Sequence, residues 1–479
     1  MPTELYGGVA RTTINPLIGT RKIGMRLFGD PVQAIESDLT ATILVVDDTT
    51  ARVALVACDL CAIPPPVISE LRQRISEDID TPISHVMINE SHTHSSPAFP
   101  GYSLDIPEQL ALKKNYQDSF MHKVIEAANE AFRKLNPVRI GTGWGNCEIG
   151  VYRREKNSHG QEILGAVPEA LIDPSVGVIR IDDLKGNPVS ILFSYGCHPV
   201  TTGPRSMVAS SDYPGAARTI VENALGGTAI FLQACGGNVN PKSGIGFEVD
   251  CRDAKNRMGA MLAGEVLKVA SDIRTHVQPA ERTTLGTVPN ILFTPLIPVK
   301  NDTPGTVKAT EETVKLRMIQ LPDMDTAEAI QRTWHQTLAD KRNSDAPEWE
   351  IQTACRYCQW AENLVEAVRK NDTTIDMGIQ VIRINDIAIA GITAEVFFET
   401  GLTIKSKSPA AHTQVLGYTN GLKCYLPRAE DFPENGWSLD GNYAWPDLMF
   451  QAFGLPTAIH PEAEQVIVER TLELIKSQI

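Results

Sequence analysis

Apolar strand-like runs alternate with helical segments in the first part of the chain, and this alternation restricts the fold more than any other feature. Two apolar runs within residues 42–60 flank a short polar turn and predict a β-hairpin. Helical spacing of apolar residues follows at 67–79, about 107–135, about 213–226 and 252–274. Strands that alternate with helices of this size predict an α/β fold with a large mixed β-sheet flanked by helices.

The character of the sequence changes after about residue 275. Residues 296–312 are polar and contain Pro, Gly and Thr, and two charged helices are predicted at about 325–342 and 347–370. We expect a helical insertion or cap over the main sheet at about 296–370, within one domain that covers residues 1–479.

The last part of the chain returns to strands. Residues 377–392 have the pattern of a hairpin with Asn-Asp at its turn. An amphipathic helix is predicted at about 462–478.

Composition excludes several classes of protein. The chain has 44 Lys and Arg against 58 Asp and Glu, a formal net charge of −14, which argues against a nucleic-acid partner. It shows neither a basic segment leading into an apolar run at the N-terminus nor an apolar stretch of membrane-spanning length. Nine cysteines, an odd number, favour reduced thiols. We therefore expect a cytoplasmic protein with no membrane partner, and a homo-oligomer is compatible with its size.

The segment from Asn89 to Pro97, which contains two histidines, directly follows the apolar run HVMI. His92 and His94 are two residues apart, so in extended backbone their side chains point to the same face. Two imidazoles on one face at the end of a strand can form half of a zinc site. The alternative interpretation is a polar junction between strand and loop.

Further polar side chains follow apolar strands. His198 comes just after the run SILFSYG, and Glu395 comes just after AIAGI. Functional groups gather at the carboxyl ends of strands in α/β sheets. A carboxylate among apolar residues needs a charged partner or a metal, although Glu395 also suits the first turn of a helix.

A glycine turn follows the strand TAIFLQ. Gly236 and Gly237 allow close approach of a ligand to the backbone, and Asn240 follows them. The turn is interpreted either as an oxyanion-binding loop or as a tight structural turn.

Taken in order, these motifs resemble the neutral/alkaline (non-lysosomal) ceramidase family. The segments SHTHSSP, GCHPV, GGNVNP, TAEVF and KCYLP stand in the order of that family's motifs, and GWSLDGNYAW stands where the family has a Y-E-G-type segment. The resemblance extends from about residue 5 to 475, except for about 296–370.

The resemblance implies one zinc ion per chain. Carried over position by position, its ligands are His92, His198, Glu395 and Tyr425, and zinc lowers the pKa of a water molecule and polarises a carbonyl. His94 falls at a position near the substrate.

The resemblance also implies residues that contact the substrate. Arg153 falls near the substrate carbonyl, and the turn at Gly236 and Gly237 and the position of Trp437 are expected to bind substrate.

Three features depart from the family pattern. Asn240 replaces the family's serine, so a mechanism that needs that hydroxyl cannot operate there, although Asn can still donate a hydrogen bond. Trp437 stands where the family usually has Tyr. The sequence also stops where the family continues into a C-terminal β-sandwich. We therefore expect a substrate other than a membrane lipid.

The leading hypothesis is a zinc-dependent hydrolase of an amide or ester bond in a small soluble molecule. His94 is the expected general acid and base, and Arg153 and Asn240 are expected to stabilise the anion. A lactone or a glycosidic C–O bond is the alternative substrate.

Two cysteine-based hypotheses compete with this one. Cys58 and Cys61 could combine with Cys355 and Cys358 in a structural zinc site of a non-catalytic protein, although core packing suits each pair better. Cys197 or Cys235 could be a thiol nucleophile beside His198, but adjacent side chains in an extended segment point in opposite directions.

Overall fold

The computed structural model describes residues 4–23, 31–101, 107–160, 162–299, 305–432 and 449–479. Its helices α1 to α8 are, in chain order, Pro65–Asp78, Pro107–Arg133, Asp212–Leu225, Arg252–Asp272, Met324–Asn343, Glu348–Lys370, Phe398–Lys407 and Ala463–Gln478. Short 3₁₀ turns lie at Ile83–His85 and Ala429–Asp431.

The strands β1 to β25 include several two-residue pairs. In chain order they are Leu5–Thr13, Lys22–Ile23, Ala34–Ile35, Thr40–Asp47, Arg52–Cys58, Val86–Glu90, Ser96–Pro97, Asn136–Asn146, Gly150–Lys156, Glu162–Val167, Ser175–Asp183, Pro188–Tyr195, Val208–Ala209, Thr228–Gln233, Val239–Pro241, Val277–Pro279, Thr283–Leu285, Ile291–Phe293, Leu296–Pro298, Val307–Arg317, Thr374–Ile384, Ile387–Ile392, Glu395–Val396, His412–Leu416 and Tyr425–Leu426.

The predicted α/β fold is confirmed, and it contains a second sheet that the sequence pattern did not separate from the first. Eight described strands form the first sheet in the order β14-β12-β11-β8-β1-β4-β5-β6. Four others form the second sheet in the order β20-β21-β22-β24. The β14–β12 and β5–β6 pairs of the first sheet, and the β22–β24 pair of the second, are parallel.

The two sheets pack face to face between layers of helices. Along β4, Leu44 and Val46 belong to a core shared with Ile382 and Ile389 of the second sheet. The intervening side chains of β4 point outward and pack with α1 and α2. Helices α3 and α4 cover the other half of the same outer face, and α7 and α8 cover the second sheet. Strands buried on both faces explain why the sequence shows continuous apolar runs.

The insertion covers fewer residues than predicted. Residues 307–317 form β20, a strand of the second sheet, rather than part of a cap. Helices α5 and α6 pack on each other and connect β20 to β21, which are neighbouring antiparallel strands. The predicted hairpin within 377–392 is confirmed, with Asn385 in the left-handed region of backbone conformation at its turn.

Strand ends from both sheets meet at one edge of the molecule. Isolated bridges join Asn89 to Thr419 and Ala234 to Leu416. These bridges bring the carboxyl ends of β6 and β14 against the carboxyl end of β24. The loops that carry the predicted site residues therefore converge from parts of the chain that are distant in sequence.

Candidate active site

Two histidine side chains are held by backbone carbonyl groups. His92 Nδ1 lies 2.6 Å from the carbonyl oxygen of Cys61, and His198 Nδ1 lies 2.8 Å from that of Gly236. A carbonyl can only accept, so each Nδ1 carries the proton and each Nε2 keeps a lone pair. This arrangement is the one in which histidines bind metal ions.

The carboxylate of Glu395 meets both Nε2 atoms. Glu395 Oε2 is 3.1 Å from His198 Nε2, and Glu395 Oε1 is 3.6 Å from His92 Nε2. All three side chains are buried, and their ligand atoms lie within 4.8 Å of one another. Nitrogen and oxygen donors gathered in this way fit a zinc ion.

Strand pairing places Tyr425 beside this group of candidate ligands. Glu395 lies in β23 rather than at a helix N-terminus, and it pairs with Tyr425 of β25. The phenol oxygen of Tyr425 accepts a hydrogen bond from Arg153 Nη2 at 3.0 Å. Burial and the nearby Glu395 carboxylate raise the pKa of Tyr425 well above its ordinary value, while Arg153 opposes this shift.

Burial favours the neutral form of the histidines of the site. Burial lowers the pKa of His92 to about 4, although the neighbouring Glu395 opposes this shift. Burial also lowers the pKa of His94 and of His198 well below the ordinary value. Metal ligands must be deprotonated, so this state is ready to coordinate a metal ion.

His94 lies beside the three candidate ligands. Its Nε2 atom is 3.1 Å from His92 Nε2, while its buried Nδ1 atom has no hydrogen-bond partner among the described residues. The predicted proximity of the two rings is correct, but its predicted cause is wrong. The strand ends at Glu90, and His92 has a φ of 63°, so a turn rather than extended backbone brings the imidazoles together.

Arg153 and Asn240 form a second polar group next to the carboxylate. Arg153 is 1% exposed, and its Nη2 is 4.0 Å from Glu395 Oε2. Its Nη1 donates to Asn240 Oδ1 at 3.1 Å, and its Nη2 donates to the Gly237 carbonyl at 2.7 Å. Because a guanidinium only donates, the Asn240 amide turns its oxygen toward Arg153 and its NH₂ group away.

The glycine turn has a different use from the predicted one. The carbonyl groups of Gly236 and Gly237 accept from His198 and Arg153, and the N–H of Gly237 donates to the carbonyl of Val396. Of the two interpretations of this turn, the tight structural turn therefore fits the Gly237 N–H better than the oxyanion-binding loop. A Cβ atom at Gly237 would lie 2.6 Å from the Glu395 carbonyl oxygen, so this glycine permits the close approach of the two loops. Trp437 lies outside the described residues.

Two buried residues of the site were not singled out from the sequence. The Tyr418 hydroxyl is 3.4 Å from Glu395 Oε2, and its ring lies 4.4 Å from the His92 ring. Glu90 ends β6, and burial raises its pKa well above the ordinary value. Both follow the rule that identified His198, because each stands at or just after the end of an apolar strand. The sequence did not single them out, because Tyr418 is aromatic and Glu90 lies within the strand itself.

The structure does not support the cysteine-based hypotheses. Cys58 packs under α1 and α2, whereas Cys358 packs between α5 and α6, so the two pairs belong to separate cores. Within the described ranges, no group of metal-ligating side chains joins the two pairs. Burial raises the pKa of Cys197 far above its ordinary value and that of Cys235 to about 12, which disfavours a thiolate nucleophile.

Part of the chain matches a known protein family. Residues 26–256 match the family model for neutral/alkaline non-lysosomal ceramidase, N-terminal. Residues 26–256, just under half of the chain, are thus similar to the N-terminal part of the neutral/alkaline ceramidases. The resemblance inferred from the motifs is therefore confirmed.

Two curated relatives come from Dictyostelium discoideum. Neutral ceramidase A is 27% identical over 229 residues, which cover 44% of this chain and 31% of the relative. Neutral ceramidase B is 25% identical over 216 residues, which cover 41% of this chain and 30% of the relative. The matched region is thus less than a third of each curated relative.

Solved structures share the fold over nearly the whole chain. Neutral ceramidase from Pseudomonas aeruginosa superimposes with a TM-score of 0.67 at 16% identity, covering 99% of this chain and 74% of that one. A ceramidase complexed with C2 superimposes with the same TM-score and identity, covering 99% of this chain and 75% of that one.

Proposed function

We propose that this chain is a zinc-dependent hydrolase that cleaves an amide bond. The observation that carries the proposal is the convergence of His92 Nε2, His198 Nε2 and the Glu395 carboxylate beside the cation of Arg153. The matches to ceramidases support the reaction class. A zinc ion held by these residues, with Tyr425 as a further ligand, would supply a Lewis acid and a water molecule of lowered pKa.

The backbone around the site orients the ligands. The Cys61 and Gly236 carbonyl groups set the tautomers of His92 and His198, so the protein presents both lone pairs before any metal arrives. Burial of all three side chains keeps competing water away from the carboxylate and strengthens its interactions. These contacts favour a single, rigid arrangement of the atoms that would bind the metal.

His94 is the residue placed to move protons. Its Nε2 atom lies next to the ligand set without being anchored to a carbonyl group. A neutral imidazole can accept a proton from the attacking water and transfer it to the departing amine. Amide hydrolysis needs both transfers, because an amine leaves only after its nitrogen is protonated.

Arg153 and Asn240 supply positive potential where the carbonyl oxygen of the substrate becomes an anion. The guanidinium is held in place by Asn240, Gly237 and Tyr425, so it does not have to reorganise during the reaction. The NH₂ group of Asn240 points away from Arg153 and is the donor that remains for substrate.

Metal analysis combined with a substrate panel tests the proposal. We expect about one zinc per wild-type chain and hydrolysis of an amide, and we expect His198→Ala to lose both. His122→Ala is the matched control because His122 is exposed on α2, far along the chain from every ligand. Full zinc occupancy in His198→Ala would remove His198 from the site.

The same panel tests the nature of the substrate. It contrasts a short-chain ceramide with an N-acetyl amino acid, a lactone and an aryl glycoside. Our proposal of a small soluble substrate expects the N-acetyl amino acid to react faster than the ceramide. Asn240 in place of serine is the feature that favours the lactone and glycoside alternatives, and turnover of either without amide cleavage would replace our proposal.

A cytoplasmic location remains part of the proposal. None of the described helices combines the length and apolarity that a bilayer span requires.

A further inference from the structure

A long hairpin projects from the body of the molecule between α4 and β20. We call residues 277–298 the arm. Val277–Pro279 pairs with Leu296–Pro298, and Thr283–Leu285 pairs with Ile291–Phe293 farther out. A hydrogen bond from the Ala280 N–H to the Pro295 carbonyl joins the two ladders into one ribbon. The strands of the arm contact chiefly one another.

The arm is apolar on both of its faces. Consecutive side chains of a strand point to opposite faces, and Ile291, Leu292 and Phe293 are 50%, 55% and 40% exposed. Leu285, Val288, Leu296 and Ile297 are also exposed. An isolated two-stranded hairpin is at best marginally stable in water, so a ribbon of this composition requires a partner.

The arm leaves the molecule at the edge opposite the candidate site. His276, at the base of the arm, lies against Gly186 in the turn before β12, whereas His198 follows the other end of β12. Strand β12 has eight residues, so roughly 25 Å separates the two ends. A surface bound by the arm would therefore lie far from the site, which argues against docking on a membrane that delivers substrate.

Charge favours a second copy of the chain as the partner. The arm contains one acidic residue, Glu281, and one basic residue, Arg282, so the whole net charge of −14 lies outside it. Two acidic molecules repel each other elsewhere on their surfaces, and the neutral arm is where they can approach with least repulsion. Its 22 residues also match the 20–30 residues that each partner contributes to a standard interface.

We propose that the arm is the interface of a homodimer, in which the arms of two copies pack together across a two-fold axis. Two-fold packing of two identical ribbons buries one apolar face of each arm against the other. This inference does not depend on the proposed function.

Sedimentation of the full chain at micromolar concentration tests the proposal. We expect wild type to have the mass of two chains, and at least one of Leu292→Glu and Phe293→Glu, which lie on opposite faces of the arm, to halve it. Trp349→Glu is the matched control because Trp349 is 62% exposed on α6, outside the arm, and it should keep the mass of two chains. Thermal unfolding of each variant checks that the fold is kept.

Three results would overturn the proposal. A wild-type chain that sediments as a monomer, or arm variants that stay dimeric, would show that the arm is not the interface. A monomer that co-sediments with phosphatidylcholine vesicles, and loses this binding in Leu292→Glu, would identify the arm as a membrane anchor instead.

Discussion

His94 is proposed to transfer protons without binding the metal, although it lies within a few ångströms of the metal ligands. Its Nε2 atom is 3.1 Å from His92 Nε2, yet the three buried ligand side chains form a complete group without it. We expect His94→Ala to keep its zinc and to lose about 10²- to 10⁴-fold in turnover, the range for loss of a general acid–base group. Elemental analysis and kinetics on the same sample decide the point, and loss of zinc would make His94 a ligand.

Asn240 allows the roles of its oxygen and its NH₂ group to be distinguished. Asn240→Ala removes the acceptor for Arg153 and the remaining donor, so we expect turnover to fall by at most about 10²- to 10³-fold. Asn240→Asp keeps the acceptor and removes the donor, and it also adds a negative charge beside Arg153. An active Asn240→Asp would therefore assign the effect of Asn240→Ala to the hold on Arg153.

The absence of a serine at this position also predicts the type of mechanism. We expect no covalent acyl-enzyme at Asn240, so serine-directed reagents should leave the enzyme active while chelators abolish activity reversibly. Intact-mass spectrometry after incubation with substrate checks this. An adduct on any Ser or Cys between Cys235 and Ser243 would contradict it and revive the thiol hypothesis.

At the scale of elements, Asp48 connects the two sheets. In the turn between β4 and β5 its carboxylate accepts from the N–H groups of Thr50 and Ala51, and it also accepts from the Val307 N–H at the start of β20. Burial acts to raise the pKa of Asp48, but these hydrogen bonds outweigh it and the pKa is lowered. A lowered folded-state pKa means that the stabilisation is present above the unfolded value and is lost as pH falls through the folded one.

We therefore expect Asp48→Ala to destabilise the protein by about 1.5–3 kcal/mol at pH 7, the usual value for hydrogen bonds to a charged group. The difference from wild type should shrink once the pH falls below about 4, the ordinary range of a carboxyl group. Urea unfolding at several pH values measures it. A difference that stays constant down to the acid limit would show that the charge of Asp48 contributes nothing.

The elements also show where sequence reasoning succeeds. Local periodicity is sufficient for α1, α2 and the hairpin turn at Asn385, because each depends on neighbours along the chain. It could not separate β20 from the insertion or assign strands to two sheets, because those depend on pairing between distant segments. The same limit applies to the site. His92, His198 and Glu395 were found at strand ends, whereas the turn at His92 and the contact of Tyr418 with Glu395 exist only in the folded chain.

At the scale of the whole molecule, the candidate metal centre joins the two sheets. His92 and His198 follow strands of the first sheet, and Glu395 follows a strand of the second. Because a ligand that binds only the native state stabilises it, zinc at 100 times its Kd adds about 2.7 kcal/mol. We expect a chelator to lower the unfolding temperature of wild type and to leave that of His198→Ala unchanged. An equal effect on both proteins would mean that the metal binds elsewhere.

The placement of the helical pair between β20 and β21 has a consequence for how such chains diversify. Arg317 and Thr374 are directly paired across the two strands, so the segment that contains α5 and α6 starts and ends at adjacent points. A segment of this kind can be gained, lost or exchanged as a cassette, since a tight turn suffices to reconnect the strands. It departs from the sheet edge where Glu395 and Tyr418 lie, because β22 and β24 end there. Recombination at this junction would thus exchange the segment attached at this end of the second sheet while the two-sheet scaffold is inherited intact.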